Sequence, residues 1–331
     1  MRGIVVGLGS MGKRRIRLMR QFFDSVELCG VDSNPERREQ AKELFGIPCF
    51  AGLEEALQQF GADCGFVCTS PLSHAAIIRS LLQAGLNVFT EINLVADGYA
   101  ENTALAAQKG LLLFLSSTPL YRRETGYIRE AVARADCPLV YRYHVGQYLP
   151  DWHPWENYRD FFVGDRRTGG CREIFGIELP WLCDAFGEIE SLLQVSALRQ
   201  TSLAIDYPDS WLVTVRHSGG TIGQLAVNVV SRKAVRDLEI IGEKLYLRWG
   251  GTPSSLSVYD YEQGQDCAVN TYESVQHDSR YAENIVENAY VDELAAFFDS
   301  LAGKPARRHT FERDGELLAL IDRIEAEGWQ G

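Results

Sequence analysis

The chain opens on Gly3-Ile4-Val5-Val6 and runs straight into Gly7-Leu8-Gly9-Ser10-Met11-Gly12. A helical stretch follows, and then an apolar run at 26–31 that ends on Asp32. Few folds tolerate this order. An apolar strand has to stop abruptly, the chain has to turn tightly at Gly7, and at Gly9 the backbone has to approach a ligand where a Cβ would intrude. Gly12 then lets the following helix lie against the strand. The helix starting near Ser10 aims its unpaired N–H groups and the positive end of its dipole at the turn, which suits a phosphate. Asp32 follows Gly12 by about twenty residues, at the end of the second apolar run, where a carboxylate can accept hydrogen bonds from an adenosine ribose. Together these features predict a dinucleotide pocket built from Gly7, Leu8, Gly9, Ser10, Met11, Gly12 and Asp32.

The alternation of strand and helix continues. Asn34 can cap a helix with Pro35 at its first position and Gly46 at its end. A strand-like 48–50, a short helix to Phe60, a strand at 65–68, a helix at 73–84, a strand at 87–90, a helix at 99–109 and a sixth strand at 111–115 follow. Six such strands form a doubly wound α/β sheet, a Rossmann domain over 1–118. Its ligand crevice lies where the loops at 7–12, 32–35, 69–74, 91–94 and 116–122 converge.

After a helix near 124–135 the pattern changes to β-rich runs at 139–145, 192–200, 211–217, 221–230, 238–241 and 245–249. They predict an α+β domain over 119–331 with a large, mainly antiparallel open sheet. An apolar sheet face left free in an acidic protein usually meets a partner subunit, so a homo-oligomer, dimer or tetramer, is expected through this sheet. Val286, Tyr290, Leu294, Phe297 and Leu301 repeat at helical spacing near the end.

Composition narrows the function classes. The 331 residues carry a net charge of −12, which argues against nucleic acid and anionic membrane as partners. The basic clusters at 13–15 and 307–309 read as solvated faces. No run of 18 apolar residues appears and the chain enters a strand at once, so a soluble cytoplasmic protein is expected. The 8 cysteines include no CxxC pair, which speaks against zinc and against a disulfide framework, and no metal site is expected.

These residues resemble the Gfo/Idh/MocA oxidoreductases over essentially the whole chain. The resemblance rests on Gly7 to Gly12, on Asp32-Ser33-Asn34-Pro35-Glu36-Arg37 and on Thr69-Ser70-Pro71-Leu72-Ser73-His74. It continues through Val88-Phe89-Thr90-Glu91 and Ala289-Tyr290-Val291-Asp292-Glu293-Leu294. It implies that Thr69, Ser70, Pro71 and His74 line the cofactor and that Glu91, with Asn93 beside it, lies under the nicotinamide ribose. Ser33 and Arg37 would flank the adenosine end. NAD is the expected cofactor and NADP the less favoured one, because Asp32 repels a 2′-phosphate; Arg37 and Arg38 nonetheless follow within a helix turn.

The chain departs from the family at two places. The lysine and proline that usually follow the glutamate are Ile92 and Asn93 here. The aspartate and histidine that usually follow a Gly-Gly run fall at Ile174 and Glu178. A carboxylate can take a hydroxyl proton if burial raises its pKa, so Glu178, among Ile177, Leu179, Pro180 and Trp181, is the first catalytic candidate. His153 and Glu91 are the others. The alternative for Glu178 is a structural ion pair with Arg172 or another arginine. Trp152, Trp155 and Arg159 are substrate-binding candidates, through aromatic stacking and hydrogen bonds to hydroxyls, the alternative being an aromatic strut; the resemblance adds Tyr121 and Arg122, where the family often supplies a substrate-contacting arginine, the alternative being an ordinary helix entry. Three readings of function stay open: an NAD-dependent oxidoreductase on a sugar or nucleotide sugar, plausibly in glycan biosynthesis; an enzyme using bound NAD as an internal redox relay; and a retired enzyme serving as sensor or scaffold.

Overall fold

Apolar strands separated by helices with glycine ends build a parallel sheet first. The computed structural model describes residues 1–331 except 153–155, 279–283, 307–308 and 330–331. Strands β1 (Arg2–Val6), β2 (Glu27–Val31), β3 (Cys49–Phe50), β4 (Cys64–Val67), β5 (Asn87–Thr90) and β6 (Leu113–Leu115) alternate with helices α1 (Ser10–Phe22), α2 (Pro35–Phe45), α3 (Leu53–Gln59), α4 (Pro71–Gln83) and α5 (Tyr99–Lys109). The strand order is β3-β2-β1-β4-β5-β6 with all pairs parallel, so the order reverses between β1 and β4. A crevice opens at the carboxyl ends of strands at such a point. Helix α4 begins at Pro71 and not at Ser73, because proline suits the first helical position and its fixed φ starts the turn early.

The rest of the chain comprises α6 (Arg123–Arg134), β7 (Leu139–Gly146), α7 (Gly170–Phe186), β8 (Ile189–Leu198), β9 (Ser210–His217), β10 (Ile222–Asn228), β11 (Val235–Gly242), β12 (Tyr246–Trp249), β13 (Leu256–Asp260), β14 (Gln265–Ala268), α8 (Glu287–Leu301) and α9 (Phe311–Gly328). Its eight strands run in the order β14-β13-β12-β11-β7-β10-β9-β8. Every pair is antiparallel except β7 with β10. Side chains alternate across this sheet. Trp211, Val213 and Val215 are buried on one face of β9, while Leu212 is 56% exposed on the other, as Val140 and Ile241 are on their strands.

The chain divides into two compact units, residues 1–117 with 290–315, and residues 118–289 with 316–331. A single cut after residue 118 therefore misses a return of the chain to the parallel sheet. The physical reason is aromatic packing: Phe297 of α8 sets its ring edge-on against Phe66, Phe89 and Phe114, at centroid distances of 5.4, 5.6 and 5.7 Å.

Candidate functional site

The glycine turn has the geometry expected of it. Gly7 has φ +94°, and a Cβ there would lie 2.6 Å from the Cys68 carbonyl oxygen. A Cβ on Gly12 would lie 1.9 Å from the Gly7 carbonyl oxygen. At Gly9 the space is open, the nearest atom being Arg37 Nη1 at 3.9 Å. Helix α1 starts from Gly9 with no side-chain cap and no acid in its first turn. Its first N–H groups, from Ser10 and Met11 onward, face a cradle that a Cβ at residue 9 would fill. A pyrophosphate fits this chemistry.

Asp32 is fixed between two loops, accepting from the Leu8 N–H and from the Asn34 N–H, each at 2.8 Å. Arg37 Nη1 stands 4.0 Å from its Oδ2, and Arg38 donates to the carbonyls of Asp32 and Ser33 at 2.8 and 2.9 Å. Ser33 is exposed beside them.

Across the switch point, the loops after β4 and β5 meet through His74 and Asn93. His74 Nδ1 lies 2.7 Å from Asn93 Oδ1, and Nε2 lies 2.9 Å from the Thr69 carbonyl. Burial lowers the His74 pKa, so the ring is neutral and carries one N–H. Nε2–H then donates to Thr69, and Nδ1 accepts once the Asn93 amide is turned about its axis. That turn also gives the buried, unpartnered Asn93 Nδ2 its hydrogen bond. Thr69 Oγ1 and Ser73 Oγ are 2.8 Å apart, and Ser73 donates to the Ser70 carbonyl at 2.8 Å. These bonds brace the turn into Pro71.

Glu91 is held by a residue read from sequence as part of a solvated basic face. Arg15 is fully buried, as Arg14 nearly is, because α1 turns Gly12, Arg15, Ile16 and Met19 toward the sheet. Arg15 donates from Nε to Glu91 at 2.6 Å and from Nη2 to Glu293 at 2.6 Å. Helical spacing from Gly12 was the available signal for Arg15; Glu293 left none beyond its place in the motif at 289–294. His309, from the other basic cluster, is buried against Asp314 at 2.9 Å, while residues 307–308 lie outside the described residues.

In the second unit, Glu178 lies on α7 and is 1% exposed. Tyr143 and Trp181 each donate to its Oε2 at 2.6 Å, and Arg236 pairs with its Oε1. The ion-pair alternative is thus present, with Arg236 in place of Arg172. Arg172 instead bridges Asp322 and Glu325, each at 2.7 Å. Arg122 is buried too: it pairs with Glu124, donates to the Gly251 and Asn284 carbonyls at 3.0 Å and lies 4.9 Å over the Trp249 ring. These partners occupy much of its hydrogen-bonding capacity. Arg122, Glu178 and Arg236 fall in one polar and aromatic cluster, because Trp249 packs edge-on against Trp181 at 5.8 Å and a Cβ on Gly251 would touch Arg236. Tyr121 ends a short turn at 118–121, half-buried. Trp152 donates to the Gln147 carbonyl at 3.2 Å, and Arg159 is exposed near the Tyr158 ring. His153 and Trp155 lie outside the described residues. Among the described residues no group of three or more His, Cys, Asp or Glu could hold a metal.

Glu173, one turn into α7, went unnoticed in the sequence. Its Oε2 is shut from solvent without a partner, and burial pushes the carboxyl up to about 8. The folded protein then keeps this proton while the unfolded chain sheds it near the ordinary carboxylate range, so the site costs stability increasingly as pH rises from about 4.5 toward 8. Glu173→Gln is expected to stabilise the protein at pH 8 by on the order of 2 kcal/mol and to do little at pH 4. Urea unfolding at the two pH values checks this; equal effects at both would show that the carboxyl titrates normally.

Residues 1–116 match the model of the oxidoreductase family with an NAD-binding Rossmann fold. The first domain belongs to the Gfo/Idh/MocA family. Among known proteins the chain is similar to mouse biliverdin reductase A, 33% identical over 134 residues, which are 39% of this chain and 44% of that protein. The aligned part thus spans less than half of that relative. A UDP-N-acetylglucosamine 3-dehydrogenase from Acidithiobacillus ferrooxidans superposes with a TM-score of 0.75 at 17% identity, over 99% of this chain and 97% of that one. A Synechocystis biliverdin reductase in complex with biliverdin and NADP+ superposes with a TM-score of 0.73 at 18% identity, over 99% and 98%. At such identities the structures establish the shared two-domain fold. No described helix is long and apolar enough to cross a membrane.

Proposed function

We propose that this chain is a nicotinamide-dependent oxidoreductase acting on a carbohydrate-like alcohol. The observation that carries the reading is the open cradle at Gly9, set between an uncapped helix start and a fixed Asp32. The bound nicotinamide supplies hydride acceptance and return. The protein's own tasks are to hold the dinucleotide along 7–12, Asp32 and the 69–74 and 91–94 loops, and to take the hydroxyl proton. In this reading that proton is assigned to Glu178, with His153 as the other candidate. The substrate class follows the nucleotide-sugar dehydrogenase among the fold neighbours. A cytoplasmic dimer or tetramer through the exposed face of the eight-stranded sheet belongs to the same proposal, and light scattering measures its size.

A second reading has a specific observation in its favour. The curated relatives are biliverdin reductases, and Ile92 stands where the proton-handling lysine is expected. Hydride delivery to a conjugated acceptor needs no base to strip a hydroxyl proton. Supplying the protein with NAD+ and UDP-sugars, or with NADH and biliverdin, and following the appearance or loss of nicotinamide absorbance, separates the two.

Cofactor choice is tested by calorimetric titration with NADH and NADPH. Asp32 favours NADH, and Arg37 beside the cradle is the group available to a 2′-phosphate. Asp32→Ala is expected to weaken NADH binding about tenfold, the scale of a lost charged hydrogen bond, and to weaken NADPH binding less. Equal affinity of both dinucleotides for both proteins would remove Asp32 from the pocket.

A further inference from the structure

Arg15 stands apart among the buried charges of the first unit. It lies on α1, whose start forms the phosphate cradle, yet its guanidinium reaches the carboxyl end of β5. There it meets Glu91, which is 7% exposed, whereas Arg15 and Glu293 are fully enclosed. Nε holds Glu91 Oε1 at 2.6 Å, and Nη2 reaches Oε2 at 3.2 Å while also serving Glu293 at 2.6 Å and the Ser116 hydroxyl at 3.2 Å. Ser116 and the Ser117 N–H close the far side of Glu293, at 3.0 and 2.7 Å. The guanidinium plane lies against Phe89, 4.6 Å from its centroid. The Glu91 carboxylate is therefore held in one orientation, and Oε2, at 3.2 Å from Nη2, is the less tightly held oxygen.

We propose that Arg15 is a positioning residue that fixes Glu91 so that its Oε2 accepts a hydroxyl of a ribose diol in the dinucleotide pocket, coupling the phosphate end of that pocket to its far end through α1. This rests on the cofactor reading above. A planar, forked guanidinium orients a carboxylate in a way that a single ammonium cannot, so lysine is the informative replacement.

The test compares calorimetric titrations of NADH with those of ADP, which has the adenosine and pyrophosphate but lacks the second ribose. The proteins are wild type, Arg15→Lys, Glu91→Gln and the double variant, each checked for folding by thermal melting. Arg15→Lys and Glu91→Gln are each expected to weaken NADH binding about tenfold or more. The double variant loses no more than either alone, and ADP affinity stays within about twofold. If Arg15→Lys does not fold, the charge-matched pair Arg15→Gln with Glu293→Gln keeps the net charge of the cluster and serves in its place, with the same expected loss. NADH binding unchanged in the Arg15 variants, losses that multiply in the double variant, or ADP falling in step would each overturn the positioning role while the cofactor reading stands. Wild type binding neither NADH nor NADPH would overturn both.

Discussion

Gly12→Ala is expected to weaken dinucleotide binding by about a hundredfold. The added Cβ would sit 1.9 Å from the Gly7 carbonyl oxygen, a backbone atom that cannot swing aside as a side chain can. Gly7 is itself confined: its φ of +94° suits glycine, and the Cys68 carbonyl closes the other side at 2.6 Å from a Cβ position. The strain must be relieved by pushing α1 off β1, which moves the N–H groups at 9–11 away from the phosphate position. Overpacking of this kind costs about 1–3 kcal/mol of stability. A displacement of about 1 Å in a site of directed hydrogen bonds reduces function by about a hundredfold. Calorimetry with NADH and NADPH, beside urea unfolding, reads both effects. A folded Gly12→Ala protein that binds dinucleotide as tightly as wild type would mean that the turn is not the phosphate site.

Glu178→Ala is expected to lower stability by about 3–5 kcal/mol, the cost of breaking a buried ion pair from one side. Its carboxylate is the acceptor for three donors at once, Tyr143, Trp181 and Arg236, and the variant leaves a guanidinium with no counter-charge in a nearly closed setting. Replacing both charged partners, as in Glu178→Leu with Arg236→Met, removes the stranded charge and should recover much of the loss. Chemical unfolding of the two proteins checks this. If Glu178→Ala unfolds within about 1 kcal/mol of wild type, the pair is not a determinant of the fold. The comparison also protects the functional test, since turnover lost in a Glu178 variant counts for proton transfer only in a protein shown to be folded.

Much of the first unit was legible because its constraints are local. Gly12 is dictated by a clash with the Gly7 carbonyl a few residues back, Gly7 by its left-handed backbone, Asn34 and Pro35 by helix capping, and Asp32 by its place at a strand end. The structure bears these out in the strand order and in the cap that Asn34 makes to the N–H groups of Glu36 and Arg37 at 2.8 and 3.3 Å. Helix α4 starts two residues before the expected 73, because Pro71 takes the first helical position.

What the residue order by itself determined about this protein is the parallel sheet, the glycine cradle and the β-rich character of the rest, because turns, caps and alternation act between near neighbours. The partners of the charged groups were decided only by tertiary structure. Arg15 and Glu293 are 278 positions apart, Glu178 and Arg236 are 58 apart, and Arg172 finds Asp322 across 150. No periodicity encodes such pairings. They arise when buried charges, which cannot stay unpaired away from water, meet whichever opposite charge the packing of apolar faces brings alongside.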